Sequence, residues 1–313
     1  MDEMRVVAEG LQFPEGPVAM ADGSVILVEL SRQTLSRVLP SGAIEVVAET
    51  GGGPNGAAIG PDGAMYLCNN GSAFGPGGRV VGRDDIGGRI QRVDLATGKV
   101  ENLYTECDGR PLLAPNDLVF DRTGNMWFTD HGIDTGRVHE RGGLFYASPD
   151  GTMIKEVLPR LEQPNGVGLS PDDDVVYWAE TNTGRIFGYP LKAPGVIAET
   201  KGLSLRTAMR GDTPDFGLLL AGTAAFRLYD SLAVEADGRV CVGTLVEGGI
   251  SIADPADRSL EFVPMPAGFE DSFITNICFG GDDMRTAFLT CSMTGRLVSC
   301  RWPRPGLKLA YNG

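Results

Sequence analysis

The sequence predicts an all-β protein and, within that class, a six-bladed β-propeller. One pattern of short apolar runs, joined by turns that contain Asp or Gly, recurs six times along the chain. The 313 residues also include 44 glycines and 20 prolines, a composition that favours many tight turns over long helices. A chain of this length would ordinarily suggest two domains, but an internal repeat allows it to form a single unit.

The repeat is clearest near the N-terminus, where the run RVVAE at 5–9 recurs as EVVAE at 45–49. Each run is followed by a head segment, a short stretch with a polar residue at its centre. Four further head segments of the same kind occur later in the chain. The six are Pro14-Glu15-Gly16, Pro54-Asn55-Gly56, Pro115-Asn116-Asp117, Pro164-Asn165-Gly166, Tyr229-Asp230-Ser231 and Thr275-Asn276-Ile277.

Each head segment is followed by the signature of a β-hairpin. A turn comes at nearly the same place in every unit, and a strand-like apolar run follows it. The turns are Asp22-Gly23, Asp62-Gly63, Thr123-Gly124, Asp172-Asp173, Asp237-Gly238 and Asp282-Asp283. A third strand follows in each unit and a fourth in most. Since one such sheet cannot bury both faces alone, we expect residues 1–313 to form one propeller domain.

The two ends of the repeat indicate how the ring is closed. The sixth unit has no obvious fourth strand after Trp302, whereas the first unit is preceded by a spare strand at 5–8. Pairing this N-terminal strand with the last blade would close the ring and remove an exposed edge, the alternative being a free N-terminal tail. Insertions at 71–87, 107–114 and 199–227 lengthen some units, and such insertions often carry specificity.

Composition excludes several classes of partner. The net charge of −14 provides no basic stripe for nucleic acid and would be repelled by an anionic membrane. No apolar run approaches the roughly 18 residues of a membrane span. The first residues lack the regions of a signal peptide, so we expect a cytoplasmic protein.

The six cysteines form no C-x-x-C pair, which favours buried free thiols.

The polar residues of the head segments are the main functional candidates. In a propeller the heads of the inner strands lie near one rim of the central channel, and here every one is an oxygen donor. Hard divalent cations take such ligands, with calcium the first expectation and magnesium, manganese or zinc possible. The alternative is that these residues only make turn hydrogen bonds, particularly Asn55 and Asn276. Asn55 is also a candidate contact of a substrate.

Taken together, these motifs resemble the family of gluconolactonase, senescence marker protein (regucalcin) and luciferin-regenerating enzyme. The resemblance covers essentially the whole chain. It depends on Phe13-Pro14-Glu15-Gly16-Pro17, on Pro115-Asn116-Asp117 with Asp121 and Gly124, on Pro164-Asn165-Gly166 with Leu169-Ser170-Pro171-Asp172, and on the stretch from Asp230 to Gly238. The family's fold is a six-bladed propeller, in agreement with the number of repeats.

The resemblance also implies a ligand set and a reaction. A divalent cation would be held by Glu15, Asn165 and Asp230, and Asn116 would either coordinate it or contact substrate. The implied activity is hydrolysis of a small lactone or related ester at the channel mouth. Asp230 would activate water as a base or attack directly as a nucleophile, two roles that the sequence leaves open.

One departure from the family bears on the substrate. The gluconolactonase branch has an arginine two residues before the substrate-contacting asparagine, where this chain has Ala114. A sugar lactone is therefore less favoured, unless Arg110 or an arginine of 199–227 takes the same role. His131, at the end of a second strand, is another candidate substrate contact or an ordinary loop histidine.

Other functions compete with this reading. Glu29, Asn69 and Asp130 occupy equivalent places after the first three head segments and are candidates for a second, structural ion. The chain could be a non-enzymatic calcium-binding or scaffold propeller, or a metal-free condensing enzyme resembling strictosidine synthase. A Ser-His-Asp hydrolase is poorly supported, because the sequence contains no G-x-S-x-G motif.

Overall fold

The computed structural model describes residues 1–71, 86–134, 136–198 and 218–311. They form six antiparallel blade sheets around a central channel, as the repeat predicts, and one separate two-stranded hairpin. The innermost strand of each sheet contacts the innermost strands of its two neighbours, and the sixth contacts the first, so the ring is closed. Every regular element within these ranges is a strand, and none of the described residues forms a helix that could cross a membrane.

The first three blades follow the N-terminal strand, β1 (Asp2–Glu9). Blade 1 consists of β2 (Pro14–Ala19), β3 (Val25–Glu29), β4 (Thr34–Val38) and β5 (Ile44–Glu49). Blade 2 consists of β6 (Pro54–Ile59), β7 (Met65–Asn69), β8 (Arg89–Val93) and β9 (Val100–Tyr104). A hairpin of β10 (Glu106–Cys107) and β11 (Arg110–Pro111) precedes blade 3, which consists of β12 (Pro115–Phe120), β13 (Met126–Asp134), β14 (His139–Ala147) and β15 (Ile154–Leu161).

The other three blades complete the ring. Blade 4 consists of β16 (Pro164–Leu169), β17 (Val175–Glu180), β18 (Arg185–Ala193), the short β19 (Val196–Ile197) and β20 (Leu218–Gly222). Blade 5 consists of β21 (Leu228–Val234), β22 (Val240–Leu245), β23 (Gly249–Ala253) and β24 (Leu260–Pro264). Blade 6 contains β25 (Ile274–Gly280), β26 (Thr286–Cys291) and β27 (Arg296–Arg301). Part of the expected insertion 199–227 is thus the outer strand β20, whereas 199–217 lies outside the described residues.

The predicted closure of the ring is confirmed. Strand β1 pairs antiparallel with β27 as the outermost strand of blade 6, with Val6 opposite Val298 and Arg5 opposite Ser299. The Arg5 side chain also donates a hydrogen bond of 3.1 Å to the Ser299 hydroxyl. The edge that β27 would otherwise present to solvent is covered, and the first and last parts of the chain share one sheet.

Apolar side chains on facing sheets form the cores between blades. Tyr66 and Phe120 lie in the core between blades 2 and 3, with ring centroids 5.0 Å apart. Trp127 and Trp178 lie in the core between blades 3 and 4. All six cysteines are described and free, and only Cys278 among them is half-buried rather than buried. The cores hold the blades at fixed angles and thereby fix the rim where the head segments lie.

Candidate metal centre

Each inner strand begins with an irregularity in its pairing. In β2 the ladder pairs Glu15 with Val28 and resumes only at Val18, which is a β-bulge. Comparable shifts occur at the start of β6, β12, β16, β21 and β25. A bulge redirects side chains out of the regular alternation and is common next to functional sites. The irregular pairing at the start of all six inner strands thus accompanies the polar head residues at one rim of the channel.

The inner strands approach one another closely at this rim, which explains the glycine in the Pro-X-Gly head segments. A Cβ atom at Gly16 would lie 2.6 Å from the carbonyl oxygen of Asn55. One at Gly56 would lie 2.6 Å from the carbonyl oxygen of Asn116. Because only glycine permits such an approach of backbone to backbone, the motif brings neighbouring polar heads together.

The two acidic residues of the predicted ligand set belong to one cluster. The Glu15 carboxylate accepts hydrogen bonds from the Gly16 backbone N–H at 2.9 Å and from the Asn276 amide of blade 6 at 3.1 Å. The charge of Glu15 also raises the pKa of Asp230 in blade 5. Three neighbouring blades thus contribute oxygen-bearing side chains to the same place on the rim.

The amide residues complete the ring of oxygen donors. The Asn165 amide donates to the Thr181 hydroxyl at 3.1 Å, and its Oδ1 accepts a bond of 3.4 Å from the Ser231 hydroxyl. Asn55 and Asn116 each bury a side-chain carbonyl oxygen that accepts no hydrogen bond from the described residues. Burying an unpaired acceptor costs free energy, so both oxygens suit contact with a ligand.

A third carboxylate, Asp117, lies in the same cluster and was not among the ligands predicted from the sequence. It accepts hydrogen bonds from the backbone N–H groups of Leu118 at 2.9 Å and Val167 at 3.3 Å. It occupies the head-segment position that is glycine in blades 1, 2 and 4. The signal in the sequence was a charged residue at a position where three of the other five units have glycine.

Burial raises the pKa of all three carboxyl groups. Their exposed fractions are 2% for Glu15, 6% for Asp117 and 8% for Asp230. Desolvation raises the pKa of Glu15 to about 7, and desolvation followed by the charge of Glu15 raises that of Asp117 to about 7. The same two causes hold the pKa of Asp230 well above its usual range. Ionised together these groups repel one another, and a cation between them would relieve the repulsion.

The donor set fits a hard cation rather than a zinc site of cysteine and histidine. Within the described ranges, no three side chains of His, Cys, Asp or Glu lie close enough together to hold an ion alone. Ligation would therefore require the amide oxygens as well as the carboxylates. The unpaired oxygens of Asn55 and Asn116 are the observation that supports this mixed set.

Backbone conformation is strained immediately before two of the predicted ligands. Phe13 and Gln163 have φ angles of +56° and +51°, and each directly precedes the proline of a head segment. A positive φ is uncommon for residues other than glycine, and the following proline restricts the backbone further. Such strain persists where the surrounding structure enforces it, often at functional sites. Here it accompanies the presentation of Glu15 and Asn165.

Glu29, Asn69 and Asp130 have a structural role that was not expected from the sequence. Their side-chain oxygens accept hydrogen bonds from backbone N–H groups that lie two or three residues before each head residue. The bonds are Gln12 to Glu29 at 2.8 Å, Gly53 to Asn69 at 2.9 Å, and Leu113 and Ala114 to Asp130 at 2.7 and 2.8 Å. Glu180 accepts the N–H of Glu162 at 3.2 Å in the same manner. These side chains fix the loops that precede the polar head residues of blades 1 to 4.

His131 lies near the ring at the junction of blades 3 and 4. Side chains alternate along β13, so His131 shares a face with Thr129, whose hydroxyl donates to the Asn165 carbonyl oxygen. The His131 backbone N–H donates to the carbonyl oxygen of Ala114 at 2.9 Å. Burial lowers the pKa of the imidazole to about 4, so the side chain is neutral at physiological pH. Contact of His131 with a substrate stays a prediction.

Arg110 lies away from the ring. It is exposed on β11 and lines a cavity of about 450 Å³ between the β10–β11 hairpin and the edge of blade 3, where Phe145, Glu156 and Arg160 form other parts of the wall. No residue of the ring lines this cavity. Arg227, from the predicted insertion, is paired with Glu247 at 2.7 Å. Contact of either arginine with a substrate is a prediction that these positions do not favour.

A closed six-bladed propeller with a ring of buried oxygen donors at one rim defines a class of propeller proteins with an axial candidate metal centre. Within that class, the chain belongs to the SMP-30/gluconolactonase/LRE-like family, whose characteristic region matches residues 13–293. The family predicted from the head segments is therefore confirmed.

Individual relatives are distant. The chain is 25% identical over 313 residues to a gluconolactonase of Zymomonas mobilis, covering 92% of this chain and 79% of the relative. It is 24% identical over 274 residues to lactonase drp35 of Staphylococcus haemolyticus, covering 87% and 75%. A gluconolactonase structure from Xanthomonas campestris superimposes with a TM-score of 0.72 at 19% identity, over 96% of this chain and 89% of that one. Regucalcin of Agrobacterium tumefaciens, a calcium-binding protein, gives 0.71 at 18% identity over 97% of both chains. At these identities the structures support the fold alone.

Proposed function

We propose that this protein is a divalent-cation-dependent hydrolase that opens a small lactone or related ester at the mouth of its central channel. The observation that carries the proposal is the rim itself, where neighbouring inner strands carry three buried carboxyl groups with raised pKa values and two unpaired amide oxygens. Membership of a family that includes gluconolactonases supports the reaction class. Calcium is the expected ion, because every donor is an oxygen.

The residues divide into ligands and reacting groups. Glu15, Asn165 and Asp230 would hold the ion, and Asn116 would hold it or orient the substrate. The ion would supply polarisation of the scissile carbonyl and stabilise the charge that develops on its oxygen. Asp230 is assigned the reacting role because the resemblance implies it, and its residue is the least buried of the three. It would accept the proton of the attacking water or attack directly.

The substrate is proposed to be less hydroxylated than a sugar lactone. Ala114 is fully buried, and its side chain carries no hydrogen-bond donor at the position where the gluconolactonase branch has arginine. His131, neutral and on the same face of β13 as Thr129, which bonds to Asn165, would contact the substrate as a hydrogen-bonding group rather than as a cation. A cytoplasmic location, and the lack of nucleic acid or membrane binding, remain predictions.

The test combines ion binding with activity. Protein stripped by a chelator is loaded separately with calcium, magnesium, manganese and zinc, and each form is assayed on a panel of sugar, aliphatic and aromatic lactones and simple esters. Calcium binding is measured in parallel by calorimetry. We expect hydrolysis only in a loaded form, and a loss of roughly 100-fold or more in Asp230→Asn, as for removal of a group acting on the transition state.

A matched variant and two contrary outcomes complete the experiment. Asp282→Asn removes an exposed carboxylate at a turn on the opposite end of blade 6 and should change neither ion binding nor activity. Ion binding without hydrolysis of any member of the panel would favour the calcium-binding or scaffold propeller. Condensation of an amine with an aldehyde by the stripped protein would favour the metal-free enzyme.

A further inference from the structure

The chain beyond blade 6 forms a strap, defined as residues 303–311, across the end of the channel that is opposite to the ring. The strap first joins blade 5, where the Leu307 N–H donates to the carbonyl oxygen of Val234 at 2.8 Å. The Ala236 N–H donates in return to the carbonyl oxygen of Pro305 at 2.9 Å. Val234 is the last residue of the inner strand β21, so these bonds lie at the far end of the channel from the head segments.

The strap then crosses the channel axis to the blades on the other side of the propeller. The Tyr311 ring packs edge-on against Phe120 of blade 3, with centroids 6.0 Å apart and an interplanar angle of 87°. Tyr311 also packs against the cores on both sides of blade 2, whereas Leu307 packs against the core between blades 4 and 5. The strap therefore contacts blades on both sides of the axis, including blades 2, 3 and 5.

A buried ionic and polar contact fixes the start of the strap. Glu235 is fully buried, accepts a bond of 2.6 Å from the Trp302 indole N–H, and is paired with Arg304. Further along, a Cβ atom at Gly306 would lie 2.0 Å from the Phe279 ring, so the backbone packs directly on that ring. Charge-assisted bonds and close packing of this kind distinguish the strap from a fraying terminus.

A cavity of about 90 Å³ lies on the axis between the ring and the strap. Inner strands of all six blades form its side walls, Asp117 and Asn276 line it on the ring side, and Leu307, Leu309, Ala310 and Tyr311 line it on the other. We propose that the strap is the seal of the channel, so that solvent and solutes reach the buried carboxyl groups from the ring side alone. This inference does not depend on the proposed hydrolase activity.

The cavity contains a natural reporter of the seal. Cys278 on β25 lines the cavity and is half-buried, whereas the other five cysteines are buried. The surface that Cys278 exposes therefore faces the cavity beneath the strap rather than the outer surface of the blade. Desolvation raises the pKa of its thiol to about 12, and a thiol in that state reacts slowly until water and reagent enter.

The experiment measures the alkylation rate of Cys278 by iodoacetamide, with the modified residue assigned by peptide mass spectrometry. The intact chain is compared with a Leu309→Ala/Tyr311→Ala variant, with Lys308→Ala as an exposed control in the same strap. We expect the double variant to alkylate Cys278 at least about tenfold faster, because solvent access would no longer require local opening. Lys308→Ala should leave the rate unchanged.

Two further comparisons separate loss of the seal from loss of the fold. The buried thiols of Cys241 and Cys291 should stay unreactive in the double variant, because they lie in the core between blades 5 and 6. If they become reactive too, Leu309→Ala alone is used, since that side chain is already 37% exposed and its removal disturbs little packing. The proposal fails if Cys278 of the intact chain reacts as fast as a free peptide thiol, or if the folded strap variants leave its rate unchanged.

Discussion

The carboxyl groups of Glu15, Asp117 and Asp230 determine how the rim responds to pH and to ions. Each is buried, and the hydrogen bonds that it accepts do not offset the cost of desolvating its charge. Without a cation, the folded chain therefore holds protons on these groups at pH values where the unfolded chain has released them. Binding of a cation should consequently be accompanied by proton release and should strengthen as the pH rises.

We expect the thermal stability of the chelator-treated protein to fall as the pH is raised from about 5 to about 8. The pKa of Glu15 rises from an ordinary value of 4.5 to about 7 on folding, so its contribution to stability is complete below 4.5 and is lost as the pH passes through 7. Calcium should reverse the trend by pairing with the ionised carboxylates. Calorimetric melting temperatures across this pH range, with and without calcium, provide the measurement.

The same melting series in Glu15→Gln is the control for this pH dependence. The amide keeps the size of the side chain but cannot titrate, so the fall in melting temperature should become shallower. A slope equal to that of the unsubstituted chain would show that the titration resides elsewhere.

The inner strands are the elements that convert the repeat into a site. Their bulges interrupt the regular alternation next to the head residues, and the glycines of the head segments let the backbones of neighbouring strands approach closely. The acceptors at the ends of the second strands, such as Asp130, fix the loops from behind. A change in the spacing of two inner strands should therefore affect stability and ion binding together.

Gly56→Ala tests this coupling. The added methyl group would lie 2.6 Å from both the Asn116 carbonyl oxygen and the Asp117 Cα, neither of which can move without displacing β12. We expect a loss of about 1–3 kcal/mol in the free energy of unfolding, as for overpacking of a core, together with weaker calcium binding. Denaturant unfolding and calorimetry measure the two quantities.

Gly222→Ala is the matched control for that substitution, because the nearest atom to its added methyl would be 3.5 Å away at the outer edge of blade 4. If the two variants are equally stable and bind calcium equally well, close approach of the inner strands does not shape the rim.

The strands and the head residues could be predicted from sequence because their signals are local and repeated six times. The period of the apolar runs and the Asp-Gly turns predicted the six blades. The polar residue at the head of each unit indicated that Glu15 and Asp230 lie at the rim of the channel. The place of Asp117 in the cluster was not predicted, because it depends on carboxylates contributed by other blades. The anchoring role of Asp130 was not predicted for a similar reason, and neither was the outer strand β20. Each depends on pairing across a loop.

At the scale of the whole molecule, the chain uses its two ends differently. The N-terminal strand completes blade 6 in the plane of the ring, and the strap lies across the axis. In a propeller whose sheets contact only their neighbours, closure at one seam supports every interface around the ring, and the strap adds a second connection across the axis. Opening the seam should therefore weaken the fold as a whole rather than a single blade.

Deletion of residues 1–9 tests the closure directly. Without β1, the outer edge of β27 is left with unpaired backbone groups, and Ala8 is lost from the core beside blade 1. We expect a loss on the order of 3–5 kcal/mol in the free energy of unfolding, at roughly 1 kcal/mol for each ladder hydrogen bond, and aggregation through the exposed edge. Denaturant unfolding and light scattering measure these effects.

Val6→Ser is the matched control, because this side chain is already exposed and the substitution retains the backbone pairing, so it should cost little stability. A synthetic peptide of residues 1–9 should restore part of the lost stability by adding the missing strand. Equal stability of the full-length and shortened chains would show that the ring is held by its cores alone.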